Sequence, residues 1–258
     1  MSANLGQVLF TNKMVGMNIK TEKNEKGWYR VKLGELNTYN SKGEYYLDTG
    51  MRELLSERNS YLSVANRLET GLLEGEVTHP IREGHSDNDW VSRNMIIHGG
   101  FASHKFMEIE YVPTDRMDQG RQVIEIWAWI IPTANTHGDA LRADLENPDV
   151  NVAFSIRCFT KEVFQNGMKC RVITKIITWD RIDIPGLKNA IKGGDRNAII
   201  ARQSIITKEA GLSDFILTDE MIDNAITTIS NDTISTESAG LVETLKELKS
   251  KKDIFFSW

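Results

Sequence analysis

The chain predicts an α+β fold, with a sheet-rich core between about residues 72 and 185 and a helical tail toward the C-terminus. Three features carry this expectation. QVIEIWAWII (122–131) is a long β-branched and aromatic run of the kind that prefers strands. VNVAFSIRCF (150–159) and CRVITKIITW (170–179) flank a turn at Asn166-Gly167 and read as a hairpin or neighbouring strands. TDEMIDNAITTI and SAGLVETLKELKSKKD are both helix-like, with Leu241, Leu245 and Leu248 spaced for one face.

The remaining elements follow in chain order. Residues 1–70 mix strand-like pieces with turn punctuation, such as Asn40-Ser41-Lys42-Gly43 before Tyr45-Tyr46-Leu47. From Thr49 the spacing of Met51, Leu54, Leu55, Tyr61, Leu62, Val64 and Leu68 suits one helix or two short ones. KFMEIEYV (105–112) alternates as a strand does, and PTDRMDQG after it reads as a turn. HGDALRADL (137–145) reads as a short helix that Asn147-Pro148 ends. Gly193-Gly194 punctuates a polar stretch and lacks the pattern of a phosphate-binding loop. A polar linker is expected at 229–238, between two weakly packed tail helices.

Composition narrows the function. The 258 residues carry 31 Lys+Arg against 36 Asp+Glu, a net charge of −5, without the basic footprint of a dedicated nucleic-acid binder. No apolar run approaches the roughly 18–20 residues that span a bilayer, and the first twenty residues lack the architecture of a signal peptide. Cys158 and Cys170 are too few for a disulfide scaffold, so a reducing compartment is expected. Neither looks like a nucleophile, since Cys158 falls on an apolar strand face.

The most informative strand is VNVAFSIRCF. Val150, Val152, Phe154, Ile156 and Cys158 occupy one face, and Asn151, Ala153, Ser155 and Arg157 the other. A hydroxyl and a guanidinium two residues apart therefore point the same way. Serine needs a base within hydrogen-bond reach to act as a nucleophile. Five histidines are available: His79, His85, His98, His104 and His137. His79, in LLEGEVTHP, and His104, at the start of a strand, are the two candidates, and spacing alone does not choose between them. A metal-dependent alternative using His79, His104, Glu76 and Glu108 lacks any of the usual ligand spacings.

The string LEGEVTHP resembles the G-E-L-x-H-P signature of the tailed-phage prohead, or head maturation, proteases, in which the His is the base. AFSIR is similar to the family's G-V-S-S-R-G nucleophile motif, matching Ser155 to the nucleophile and Arg157 to the following Arg. HGDALRADL resembles the short helix before that strand. WDRIDIP keeps the family's spacing of an Asp, an aliphatic residue and a Pro at Asp180, Ile182 and Pro185. The four blocks run in family order across residues 72–190. Phe154, Ile156 and Cys158 depart from the smaller residues usual beside the nucleophile, which motivates an alternative: a catalytically inactive prohead assembly protein of the same fold.

The resemblance implies a mostly antiparallel β-barrel surrounded by helices, related to the herpesvirus capsid proteases. It implies a serine endopeptidase with Ser155 as nucleophile, His79 as base, Asp180 as the third member (Asp183 being its rival) and Arg157 supporting the oxyanion site. It implies no cofactor and no metal. The partners would be capsid and scaffold or core proteins inside the assembling prohead in the host cytoplasm, with no nucleic acid or membrane, and self-association as a further expectation. Family members often prefer Glu before the cut, so ISTESAG (234–240) suggests self-cleavage after Glu237. The change in character along the chain divides it into a protease domain at 1–210, with its catalytic core at about 72–190, and a helical tail at 211–258. The released tail, ending in Phe255, Phe256 and Trp258, would be a docking peptide for the capsid core.

Overall fold

The computed structural model describes residues 21–182 apart from 41–42, 82–83 and 85, together with 190, 192, 215–216, 219–231, 236–249 and 254–257. In chain order the first strands are β1 (Glu22–Lys23), β2 (Tyr29–Leu36), β3 (Thr38–Tyr39), β4 (Tyr45–Leu47) and β5 (Glu74–Glu76). The long strands follow: β6 (Ala102–Asp118), β7 (Arg121–Pro132), β8 (Ala153–Gln165) and β9 (Met168–Ile182). Two short ones, β10 (Phe215–Ile216) and β11 (Ile254–Ser257), come last. The helices are α1 (Met51–Ser56), α2 (Val64–Glu69), α3 (Asp87–Met95), α4 (Thr136–Glu146), α5 (Asp219–Asn231) and α6 (Thr236–Lys249).

Two hairpins form the frame. β6 and β7 turn through Gln119-Gly120, and β8 and β9 through Asn166-Gly167, each pair with positive φ as a two-residue hairpin turn of primed type requires. The first sheet runs β1-β2-β7-β6-β5 and the second β10-β11-β8-β9-β4-β3, with β4–β9 parallel and the other pairings antiparallel. Their inner faces meet in one core that includes Val31, Phe106, Ile126, Ile130, Phe154, Ile156 and Trp179. Burying each of the larger side chains contributes roughly 2–3 kcal/mol.

The α+β class agrees with the sequence, but the closed barrel does not: each sheet keeps its own ends. At the corner nearest closure, the three-residue β5 pairs with β6 and reaches β9 through side chains. The Thr178 hydroxyl donates to the Glu74 carbonyl and the Glu76 amide donates to Asp180. Other boundaries also differ. The span 113–120 is strand as far as Asp118, irregular between Pro113 and Met117, because its pairing with β7 continues past the proline. The apolar spacing after Thr49 forms two helices, α1 and α2, and of the linker expected at 229–238, residues 229–231 belong to α5 and 236–238 to α6.

The tail is better packed than its polar sequence suggests. Met221, Ile222, Ala225, Ile229, Leu241 and Leu245 form a second core with Val91 and Met95 of α3 and with Phe159 and Ile177 of the sheet. β11 then lies antiparallel on β8, Ile254 opposite Lys161 and Ser257 opposite Cys158. Among the described residues no helix is long and apolar enough to cross a membrane.

Candidate active site

Antiparallel pairing of β8 with β9 sets Ser155 directly across from Asp180, and Arg157 across from Thr178. Directly opposed residues in such a ladder have Cβ atoms about 4.5–5.5 Å apart on the same face, so hydroxyl and carboxylate emerge side by side. Ser155, Arg157 and Asp180 are all buried, although their face of the strand is polar. β5, the bend after it and the C-terminal end of α3 contribute the groups that meet these side chains.

Asp180 is bound from three directions. Arg157 donates Nε to Oδ2 and Nη2 to Oδ1, each at 2.9 Å. The Glu76 amide donates to Oδ1 at 2.9 Å, and His79 Nδ1 lies 2.7 Å from Oδ2. Burial alone would push this carboxyl up, but Arg157, His79 and the Glu76 amide outweigh it and hold it below the usual carboxylate range. His79 sits in the bend after β5, which the Val77 amide pins to the Phe101 carbonyl at 2.9 Å. Its side chain is 12% exposed, against none for Asp180.

Gly75 makes this approach geometrically feasible. A Cβ there would overlap the Trp179 backbone oxygen and the His104 ring, so any side chain would lift β5 off β9 and withdraw the Glu76 amide from Asp180. Such close approach of a neighbouring backbone is what a glycine within a strand permits.

Arg157 is engaged at every N–H it carries. Besides Asp180 it donates Nη2 to Glu76 Oε2 at 2.9 Å, and Nη1 to the carbonyls of Asn94 and Ile96 at 3.3 and 3.2 Å. Those carbonyls come from the end of α3, which Ser86 caps by accepting from the Asp89 amide. The same helix supplies Arg93, which donates to both oxygens of Glu76, at 3.0 and 2.7 Å. Two guanidinium groups and two carboxylates thus alternate in one buried cluster, where each uncompensated charge would carry a heavy desolvation cost.

The other histidines have different surroundings. His104, on β6, is fully buried, edge-on to Phe106 and Phe154 at 4.8 and 5.4 Å between ring centroids, with the Ser103 hydroxyl 2.9 Å from Nδ1. It belongs to the apolar side of β8, and burial pushes its pKa down to about 4. His98 donates its backbone amide to Glu76, and His137 lies on α4 near Phe101. His85, Asp183, Pro185 and Gly193-Gly194 lie outside the described residues. Glu237 falls in the first turn of α6 rather than in an extended linker. Both cysteines are buried and unbridged, and burial pushes the Cys170 thiol up.

Sequence reasoning missed Arg93 and the importance of Glu76. A Glu at the end of a three-residue strand and an Arg late in a helix carry no local signal of a joint role. Among the described residues no group of His, Cys, Asp and Glu is arranged to hold a metal. The model of the peptidase S80 family matches residues 10–248. No curated protein and no solved structure matches the chain significantly.

Proposed function

The chain belongs to the peptidase S80 family, serine peptidases of the prohead-maturation kind, and from that membership we propose that Ser155, His79 and Asp180 are its catalytic triad. The observation that carries the assignment is the 2.7 Å contact of His79 Nδ1 with an Asp180 that sits in register across from Ser155. Asp180, ionised, accepts a hydrogen bond from the Nδ1–H of His79 and so leaves Nε2 as the nitrogen that accepts a proton. Ser155 Oγ then forms a bond to the scissile carbonyl carbon while its proton passes to Nε2. That proton goes on to the leaving amine as the peptide C–N bond breaks, giving an acyl-enzyme. Water repeats the sequence on the ester, releasing the new carboxylate and restoring Ser155. Arg157 supports the reaction by clamping Asp180, since its own N–H groups are engaged within the cluster.

The substrates in this reading are capsid and scaffold or core proteins in the assembling prohead, and the chain itself. Self-cleavage after Glu237 would cut within the tail at 211–258, beyond the protease domain at 1–210. A peptidase cuts extended chain, so the first turn of α6 must unwind, which helix ends do at modest cost. The released segment, 238–258, carries β11 with it. It would strip a strand from β8 close to the nucleophile and free the C-terminal aromatic residues for docking.

The test is intact mass after incubation with the cognate capsid and scaffold proteins. Wild type is expected to trim them and to lose its own residues 238–258, whereas Ser155→Ala stays whole and leaves the substrates uncut. Equal trimming by both proteins would discard Ser155. Trimming of substrates by a chain that keeps its C-terminus would discard self-cleavage alone.

A further inference from the structure

Arg157 can hold Asp180 in place only if Arg157 is itself held. Glu76 does this. It accepts from Arg157 Nη2 at 2.9 Å, on the same nitrogen that reaches Asp180. Glu76 is in turn fixed by both terminal nitrogens of Arg93 and by the His98 amide, at 2.6 Å from Oε1. Its own amide donates to Asp180 Oδ1. One residue therefore touches Asp180 directly through its backbone and indirectly through its carboxylate.

Charge balance sharpens the point. With Glu76 ionised, each guanidinium of the cluster has a carboxylate, and Asp180 Oδ2 is left facing His79. With that charge removed, Arg93 and Arg157 become two cations beside one carboxylate, repelling each other and drawing Asp180 away from the imidazole. We propose that Glu76 is a positioning residue for peptide hydrolysis: its carboxylate, neutralised by Arg93, holds Arg157 in the orientation that presents Asp180 to His79. The inference rests on the triad assigned above.

The rate at which a fluorophosphonate probe labels Ser155 tests it without knowledge of the natural substrate, because the probe reports an activated serine. Glu76→Gln, which keeps the shape and removes the charge, is expected to slow labelling about tenfold, the scale of one lost charged hydrogen bond. In an Asp180→Asn background the same change is expected to cost less than about twofold, since groups acting through one another are not additive. An unchanged rate for Glu76→Gln overturns the proposal. So does an equal fractional loss in both backgrounds, the signature of a merely structural residue. If Glu76→Gln loses its near-ultraviolet circular dichroism, Arg93→Lys carries the same cycle, with a severalfold loss expected in wild type and none with Asp180→Asn. A wild type that is labelled no faster than Ser155→Ala would fail at the triad itself, a result distinct from either Glu76 outcome.

Discussion

Two largely buried charge clusters, one within the first sheet and one where the two sheets meet α3, are built from nearly the same parts. On the first sheet Lys32 reaches Glu35 and Glu125, and Arg116 reaches both carboxylates at 2.6 and 3.0 Å. The Trp127 indole completes it by donating to Glu125 at 2.8 Å. Between the two sheets, Arg157 of β8 and Arg93 of α3 alternate with Asp180 of β9 and Glu76 of β5. Each holds two cations and two carboxylates. The difference is what the carboxylates face: Asp180 bears a partly exposed imidazole and stands across from a serine, whereas Glu35 and Glu125 are turned toward Lys32, Arg116 and the Trp127 indole. Buried charge alone is therefore not a site. It becomes one where a carboxylate is turned toward a group that can carry a proton.

The comparison is broken most severely at Asp180. Asp180→Asn should lower kcat by about 10³–10⁴-fold, because the imidazole loses its orienting anion. It should also cost roughly 3 kcal/mol of stability by leaving Arg157 uncompensated. Steady-state kinetics and urea titration of the same preparation measure both.

Lys32→Met is the counterpart in the other cluster. It leaves Glu35 and Glu125 crowded around Arg116 and should cost about 3–5 kcal/mol in urea titration, with kcat unchanged per folded molecule. A fall in kcat would show that the two clusters are not independent.

A smaller effect is expected from His104, which lies away from the triad. The buried His104 has its pKa lowered from 6.5 to about 4, so between those values the unfolded chain binds the extra proton. Stability then rises with pH across the window from about 4 to 6.5, by roughly 3 kcal/mol from this group. Asp180, whose folded pKa is depressed, contributes stability above its ordinary carboxylate value that is lost only as pH falls lower still. His104→Gln should flatten the slope between pH 4 and 6.5 while leaving the lower acid limb, and chemical denaturation at a series of pH values distinguishes them. An unaltered slope would mean that His104 is not the group titrating there.

Much of the frame is legible in one dimension. Alternation in VNVAFSIRCF and CRVITKIITW, with Asn-Gly between, specifies a hairpin because turn geometry and strand periodicity are local properties. The same alternation assigns Phe154 to the apolar side and Ser155 with Arg157 to the other. The tail was harder to read: its helices are amphipathic in the sequence, but the surface they cover belongs to α3 and β9, far away along the chain.

By itself, then, the sequence determined the class of fold, the hairpin that carries Ser155 and a short list of histidines. Only the tertiary structure decided that His79 meets Asp180 while His104 lies against Phe106 and Phe154. It likewise decided that Arg157 grips two carboxylates from separate strands. Those partners are 101, 23 and 81 residues apart in the chain. Contacts over such separations arise from how two sheets and a helix end pack together, and no residue spacing records that packing.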